Sequence, residues 1–204
     1  MTNNITESCR DFKTLNPLCQ VLLNLALVEI KKKGVNPLVV ETFRSQERQN
    51  YLYAQGRTRS GSVVTWTLNS IHTKKNAVDV IPQRKIDGKM VAIWNVRDPQ
   101  TQIIIKTMEK YGFEAGANWT SSPDSPHFQI KDVTINGKEY SKENTNPYIT
   151  KMIQSALNKK LGIHLVVDGK WGSLTTAAVN DFREKNKWNK NGKLAVKALT
   201  KLME

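Results

Sequence analysis

The spacing of apolar residues changes several times along the chain, and each change marks an element. Leu15, Leu18, Leu22 and Leu25 recur at helical intervals, with Val21 and Val28 widening the stripe, and predict a helix from about Leu15 to Lys33. Lys31, Lys32 and Lys33 suit the negative end of its dipole, and Gly34 suits its stop. "LVVETF" reads as a strand, after which Ser45 caps a helix through "QERQNYLYAQ" that halts at Gly56. "RTRSGS" is a polar loop. In "DPQTQIIIKTMEKYG", Asp98 is placed as N-cap, Pro99 at the first helical position and Gly112 at the end. "HFQI" and "VTINGKEY" read as strands, the second turning at Asn136-Gly137.

One alternating run contains a charge. In "NSIHTKKNAVDVIP", period-two alternation puts Asp79 on a face with Ala77 and Ile81, opposite Val78 and Val80. A carboxylate on an apolar face is costly unless its charge is compensated. His72 stands seven residues before Asp79, and Asp124 stands three before His127, which alternation puts on one face with Gln129. These histidines are open to two readings: satisfied structural side chains, or ligands. Two neutral imidazoles and a carboxylate suit a catalytic zinc with its fourth position left for water. Asp124 then stands beside that water as general base without binding the metal. A non-heme iron triad uses the same donors and stays open. The spacing is not that of an HExxH helix, and Cys9 and Cys19 form no CxxC pair, so they read as free thiols.

Composition shifts near residue 141. "SKENTNP" reads as a linker over 141–147, followed by three helical segments, "ITKMIQSALNKKLG", "SLTTAAVNDFREKNKW" and "LAVKALTKLM". This divides the chain into residues 1–140, a linker at 141–147, and residues 148–204. The net charge is +13, and residues 146–204 carry 11 Lys and Arg against 4 Asp and Glu. Such a balance favours a polyanionic partner: nucleic acid, an acidic membrane or an anionic wall. No basic-aromatic interleaving marks a nucleic-acid stacking platform. No run approaches the ~18 apolar residues of a membrane span, so no membrane insertion is expected. The polar start "MTNNITESCRDFK" lacks the order of a signal peptide, so synthesis in a cytoplasm is expected.

"SIHTKKNAVDV" resembles the S-x-H-x-x-G-x-A-x-D signature of the zinc D-Ala-D-Ala carboxypeptidase family, which includes the L-alanyl-D-glutamate endopeptidases of phage endolysins. Ser70, His72, Ala77 and Asp79 match, and Lys75 stands where glycine is usual. "YGFEAGANWTSSPDSPHFQI" is similar to the family's closing segment, and "TFRSQERQNYLYAQGRT" to its arginine-bearing segment. The resemblance implies zinc held by His72, Asp79 and His127, with Asp124 as catalytic base. It implies Arg44 at the oxyanion or at a substrate carboxylate, Ser70 orienting the loop beside the metal, and Trp119 walling the cleft; Arg44, Ser70 and Trp119 are the candidate substrate contacts. The fold implied is α+β, a mostly antiparallel sheet with packed helices of the zinc DD-peptidase/Hedgehog type, followed by a small all-α domain. An Asp three before the motif's closing histidine, as Asp124 stands to His127, resembles the endopeptidase branch of the family. Cleavage between L-Ala and D-Glu of the stem peptide is therefore expected, with D-Ala-D-Ala carboxypeptidase activity or a non-enzymatic basic wall-binding protein as alternatives.

"LVVDGKWGSLTTAAVNDFREKN" resembles the core of the three-helix peptidoglycan-binding domain, through Asp168, Gly169, Gly172, Thr175, Ala178 and Phe182. Ser173 can cap the helix that follows, and Ala178 and Phe182 share a face, so these residues are mostly structural. His164, the third histidine, reads as a surface or helix-end residue and not as a metal ligand. Together the resemblances imply a modular endolysin whose partner is bacterial peptidoglycan, made in the host cytoplasm and acting on the wall after release.

Overall fold

The structure, a computed structural model, describes residues 5–131, 133–134 and 138–204. Its class is α+β. Two compact units divide the chain: residues 1–15 with 23–132, and residues 16–22 with 133–204.

The first unit is built on an antiparallel sheet. β1 (Pro37–Glu41), β2 (Ala77–Ile86), β5 (His127–Gln129) and β4 (Glu114–Ala115) lie side by side in that order, and β3 (Lys89–Ala92) pairs with the far end of β2. The β2–β3 hairpin turns at Asp87-Gly88, both left-handed at φ 49° and 81°, a strong hairpin signal in sequence that extends β2 beyond the run at Asp79. Ala77, Val78, Val80 and Ile81 are all buried, so both faces of β2 are covered here, as the two apolar sets of the run imply. α3 (Pro99–Lys110) packs on β2 and β4 through Ile104, Ile105 and Met108. Its N-cap is Asp98, whose carboxylate accepts from the Gln100 N–H, and Gly112 follows its end at φ 88°. α2 (Gln46–Ala54) is capped by Ser45, which accepts from the Arg48 N–H.

α1 (Pro17–Lys32) departs from the predicted stripe. Leu25 is only half-buried and Val28 is 51% exposed, whereas Cys19, Leu23, Ala26 and Ile30 are fully buried. The helix is apolar over more than one face, so leucine spacing alone could not orient it. Burial pushes the Cys19 thiol up to about 12, and both cysteines are free.

The second unit holds α4 (Pro147–Leu161), α5 (Ser173–Lys185), α6 (Val196–Met203) and a two-stranded sheet of β6 (Glu139–Tyr140) with β7 (Leu194–Ala195). The three helices fall where the pattern puts them. Ala178 and Phe182 share the buried face of α5, as their spacing implies. Ser173 is not its cap: it is the first helical residue, and Gly172 precedes it without a side-chain bond. Tyr140 is fully buried, donates to the Val133 carbonyl and accepts from the Leu18 N–H. Residues 141–147 are hydrogen-bonded within this unit, with a Ser141–Asn144 bridge and Asn146 capping α4, and the division between units falls near residue 132. The turn expected at Asn136-Gly137 lies outside the described residues. No described helix is long and apolar enough to cross a membrane.

Candidate metal centre

Antiparallel pairing brings three acceptors together. Asp79 on β2 stands opposite His127 on β5 and opposite Glu41 on β1. His72 arrives from the 3-10 turn Ile71–Lys74, which Ser70 caps by accepting from the His72 N–H. Lys75 closes that turn in the left-handed region at φ 64°, so the conformation glycine would favour is kept by a lysine at a cost of about 1 kcal/mol.

The His72 Nε2, Asp79 Oδ1 and His127 Nδ1 atoms form a triangle with edges of 3.1, 3.2 and 3.4 Å. Ligands on a tetrahedral zinc with bonds of about 2.0–2.1 Å stand roughly 3.3 Å apart. The tautomers agree with this use. His72 Nδ1–H donates to the Thr42 carbonyl at 2.6 Å, which leaves the Nε2 lone pair facing the centre. His127 Nε2–H donates to Gln129 Oε1 at 3.1 Å, which leaves Nδ1 facing it too. The Gln129 orientation is set in turn, because its amide N–H donates to the Glu114 carboxylate, which can only accept. Two lone pairs and a carboxylate thus converge with no hydrogen of their own between them. A cation or a proton must sit there, and the three residues are positioned to bind a metal. Burial acts to raise the Asp79 carboxyl, but when the histidine pair carries the proton this centre calls for, His72 and His127 outweigh burial and hold the group far below the ordinary carboxylate range.

A cleft of about 530 Å³ opens over this cluster. Arg44, Ser70, Trp119 and Asp124 all line it, so the sequence-predicted residues meet in one place. The Trp119 ring lies 5.2 Å from that of His127, and its indole N–H donates to Glu114, so it belongs to the cleft wall and not to a core. A Cβ on Gly116 would come within 2.6 Å of the Asp124 carbonyl, so only glycine permits the approach that sets the Asp124–His127 turn. The Asp124 carboxylate accepts no hydrogen bond among the described residues. Desolvation in the cleft, and then the nearby Asp79 charge, raise its pKa. Arg44 donates to Glu41 and Gln49 and stands 3.7 Å from Asp79.

Sequence reasoning missed the supports of this site. Glu41 is almost fully buried between Arg44 and Arg48, and Gln49 is fully buried beside them. A glutamate ending an apolar strand is the same anomaly as Asp79 and was legible as such. Thr42, which acts through its carbonyl, and Glu114, exposed on a two-residue strand, leave no sequence signal.

A family described as D-alanyl-D-alanine carboxypeptidase matches residues 64–130, the span that carries His72, Asp79, Asp124 and His127. Over 125 residues the chain is 30% identical to the peptidoglycan L-alanyl-D-glutamate endopeptidase CwlK of Bacillus subtilis, covering 57% of this chain and 73% of that protein. Among solved structures, the Serratia marcescens L-Ala D-Glu endopeptidase ChiX is 25% identical over 64% of this chain and 96% of its own, with a TM-score of 0.47. A relative matched over nearly three quarters of its length, and a donor set fit for a metal, make this chain a metallopeptidase-type hydrolase that belongs to the D-alanyl-D-alanine carboxypeptidase family.

Proposed function

We propose that this protein is a zinc-dependent peptidoglycan endopeptidase that cuts the stem peptide between L-Ala and D-Glu. The observation that carries the reading is the convergence of His72 Nε2, Asp79 Oδ1 and His127 Nδ1, each imidazole locked in the tautomer that aims a lone pair inward. The bond is suggested by the activity named for CwlK. Zinc held by these residues supplies the Lewis acidity that makes water a nucleophile near neutral pH.

The chain's own groups do the rest. Asp124, with its unengaged carboxylate and raised pKa, takes the proton of the attacking water at Oδ and returns it to the leaving amine. Arg44 is held by Glu41 and Gln49 with N–H capacity left toward the cleft, where it meets the developing oxyanion or a substrate carboxylate. Ser70 holds the His72 turn, and Trp119 closes one wall. Residues 148–204 serve as the wall anchor of an endolysin. That role is supported by the three-helix motif and by the excess of 7 positive charges over residues 146–204.

Mass spectrometry of digested peptidoglycan tests the reading. New N-terminal glutamate is the expected product. Release of free D-Ala instead would assign the carboxypeptidase activity, and metal analysis should find about one zinc per chain.

A further inference from the structure

The cleft carries an aromatic side chain that the metal chemistry does not use. Trp66 lines it and is 71% exposed, with Val64 beside it 53% exposed. The backbone beneath them is pinned. Gln49, fully buried, donates to the Thr67 carbonyl at 2.6 Å and to Thr65 Oγ1 at 3.2 Å. Arg57 donates to the Thr65 carbonyl at 3.1 Å, lies against the Tyr53 ring and stands 5.9 Å from the Trp66 ring. A Cβ on Gly56 would meet the Val63 nitrogen at 2.6 Å, so the loop closes tightly on itself. A large apolar ring held out to solvent on a pinned segment, at the rim of a reactive cleft, is preorganised for a ligand.

The chemistry of the substrate selects that ligand. A stem peptide of alanine, glutamate, a diamino acid and D-alanine has no aromatic or large aliphatic side chain to cover an indole. The sugar that bears it does have an apolar face: the axial C–H bonds of a pyranose lie flat on an aromatic ring. The sugar also lies close to the scissile bond, and Trp66 lines the same cleft as the metal cluster. L-Ala is joined through its amine to the lactyl ether of muramic acid, so one residue and one lactyl group separate the scissile carbonyl from the sugar. That is about 7 Å of chain at ~3.3–3.6 Å per residue. We propose that Trp66 is the platform of a carbohydrate subsite that stacks the N-acetylmuramoyl ring. This inference rests on the endopeptidase reading above and adds that the enzyme reads glycan as well as peptide.

Two synthetic substrates of one peptide sequence, with and without an N-terminal N-acetylmuramoyl group, separate the cases. For Trp66→Ala the ratio of kcat/KM for the sugar-bearing over the sugar-free substrate should fall about tenfold, mainly through KM, and Trp66→Phe should restore most of it. An unchanged ratio, whether both rates fall together or neither does, overturns the subsite; in the first case Trp66 serves the peptide. Binding is read independently by titrating N-acetylmuramoyl-L-alanine into full-length protein and following the Trp66 indole resonance, assigned by its loss in Trp66→Ala. A shift in that resonance supports the subsite, and no shift at millimolar ligand overturns it whichever bond the enzyme cuts. A shift without any new glutamate N-terminus sinks the bond assignment alone.

Discussion

Each unit of this protein contains a buried polar cluster, and the two are built on opposite principles. In the second unit, Gln154 is 2% exposed, its carbonyl accepts from the Gly169 N–H, and its amide donates to Asp168 Oδ1 and to the Lys170 carbonyl. Asp168 also accepts from the Lys170 N–H, and Gly169, at φ 81°, lies where a Cβ would strike the Pro147 carbonyl. Donors and acceptors balance. In the first unit, His72, Asp79 and His127 turn only acceptors toward their centre, while their donors are spent outward on Thr42 and Gln129. A closed cluster fixes a loop, and an acceptor-rich cluster waits for a cation. Two motifs with equally specific sequence signatures thus divide into structure and chemistry by their hydrogen-bond balance.

Mutations can break this contrast. The largest effect is expected for His72→Ala or His127→Ala, since a site of three ligands cannot spare one. Zinc content should drop and wall lysis disappear, with chelator mimicking the mutants and added zinc rescuing only the wild type. Full zinc retention with intact lysis in either mutant would remove the metal assignment. Asp124→Asn should separate catalysis from binding: zinc content and Tm near wild type, turnover down by about two to four orders of magnitude. The same residue sets a pH dependence. A carboxyl whose pKa is raised must lose its proton to act as base, so kcat/KM should fall on acidification through a pKa above the ordinary Asp range, and Asp124→Asn should abolish that limb. An acid limb unchanged in the mutant would assign the titration elsewhere.

Gln129→Leu probes the support of the ligand set, because it frees the His127 Nε2–H from its acceptor. Zinc affinity should weaken by roughly 10- to 100-fold without loss of the fold, as read by competition with a chromophoric chelator. Gln154→Ala is the matching change in the closed cluster. It strands the Gly169 N–H, so a loss of about 1–3 kcal/mol in the stability of the second unit is expected, with zinc content and cleavage of free stem peptide unchanged. A loss of zinc in that mutant would contradict the contrast between the clusters. The smallest effect is expected for Lys75→Gly. Relief of the left-handed backbone, offset by the greater freedom of glycine in the unfolded chain, should leave the change in stability within about 1 kcal/mol, measured by denaturant unfolding.

Much of this molecule was legible before any coordinates. Helix ends followed from local chemistry: Ser45 and Asp98 cap as their side chains allow, and Gly34, Gly112 and Gly162 all take positive φ at or just past helix ends. Alternation in β2 and β5 put Phe128 and Ile130 in the core and His127 with Gln129 on the other face, because side-chain direction in a strand depends only on residue parity. Where several faces of an element are buried, parity and period carry no such information. That is why the stripe of α1 was misplaced at Leu25 and Val28.

The sequence by itself determined most helices and the strands at the site, the caps at Ser45 and Asp98 and the identity of the converging donors, since those follow from residue type and local spacing. Tertiary structure alone decided how the donors are aimed. The tautomers of His72 and His127 depend on a carbonyl 30 residues away and on a Glu114–Gln129 relay across strand pairing. Arg44 is oriented by Glu41, whose burial comes from its place opposite Asp79 in the sheet. A hydrogen-bond partner chosen by register between strands has no signature in the chain order, and its effect on a lone pair's direction exists only once the strands have met.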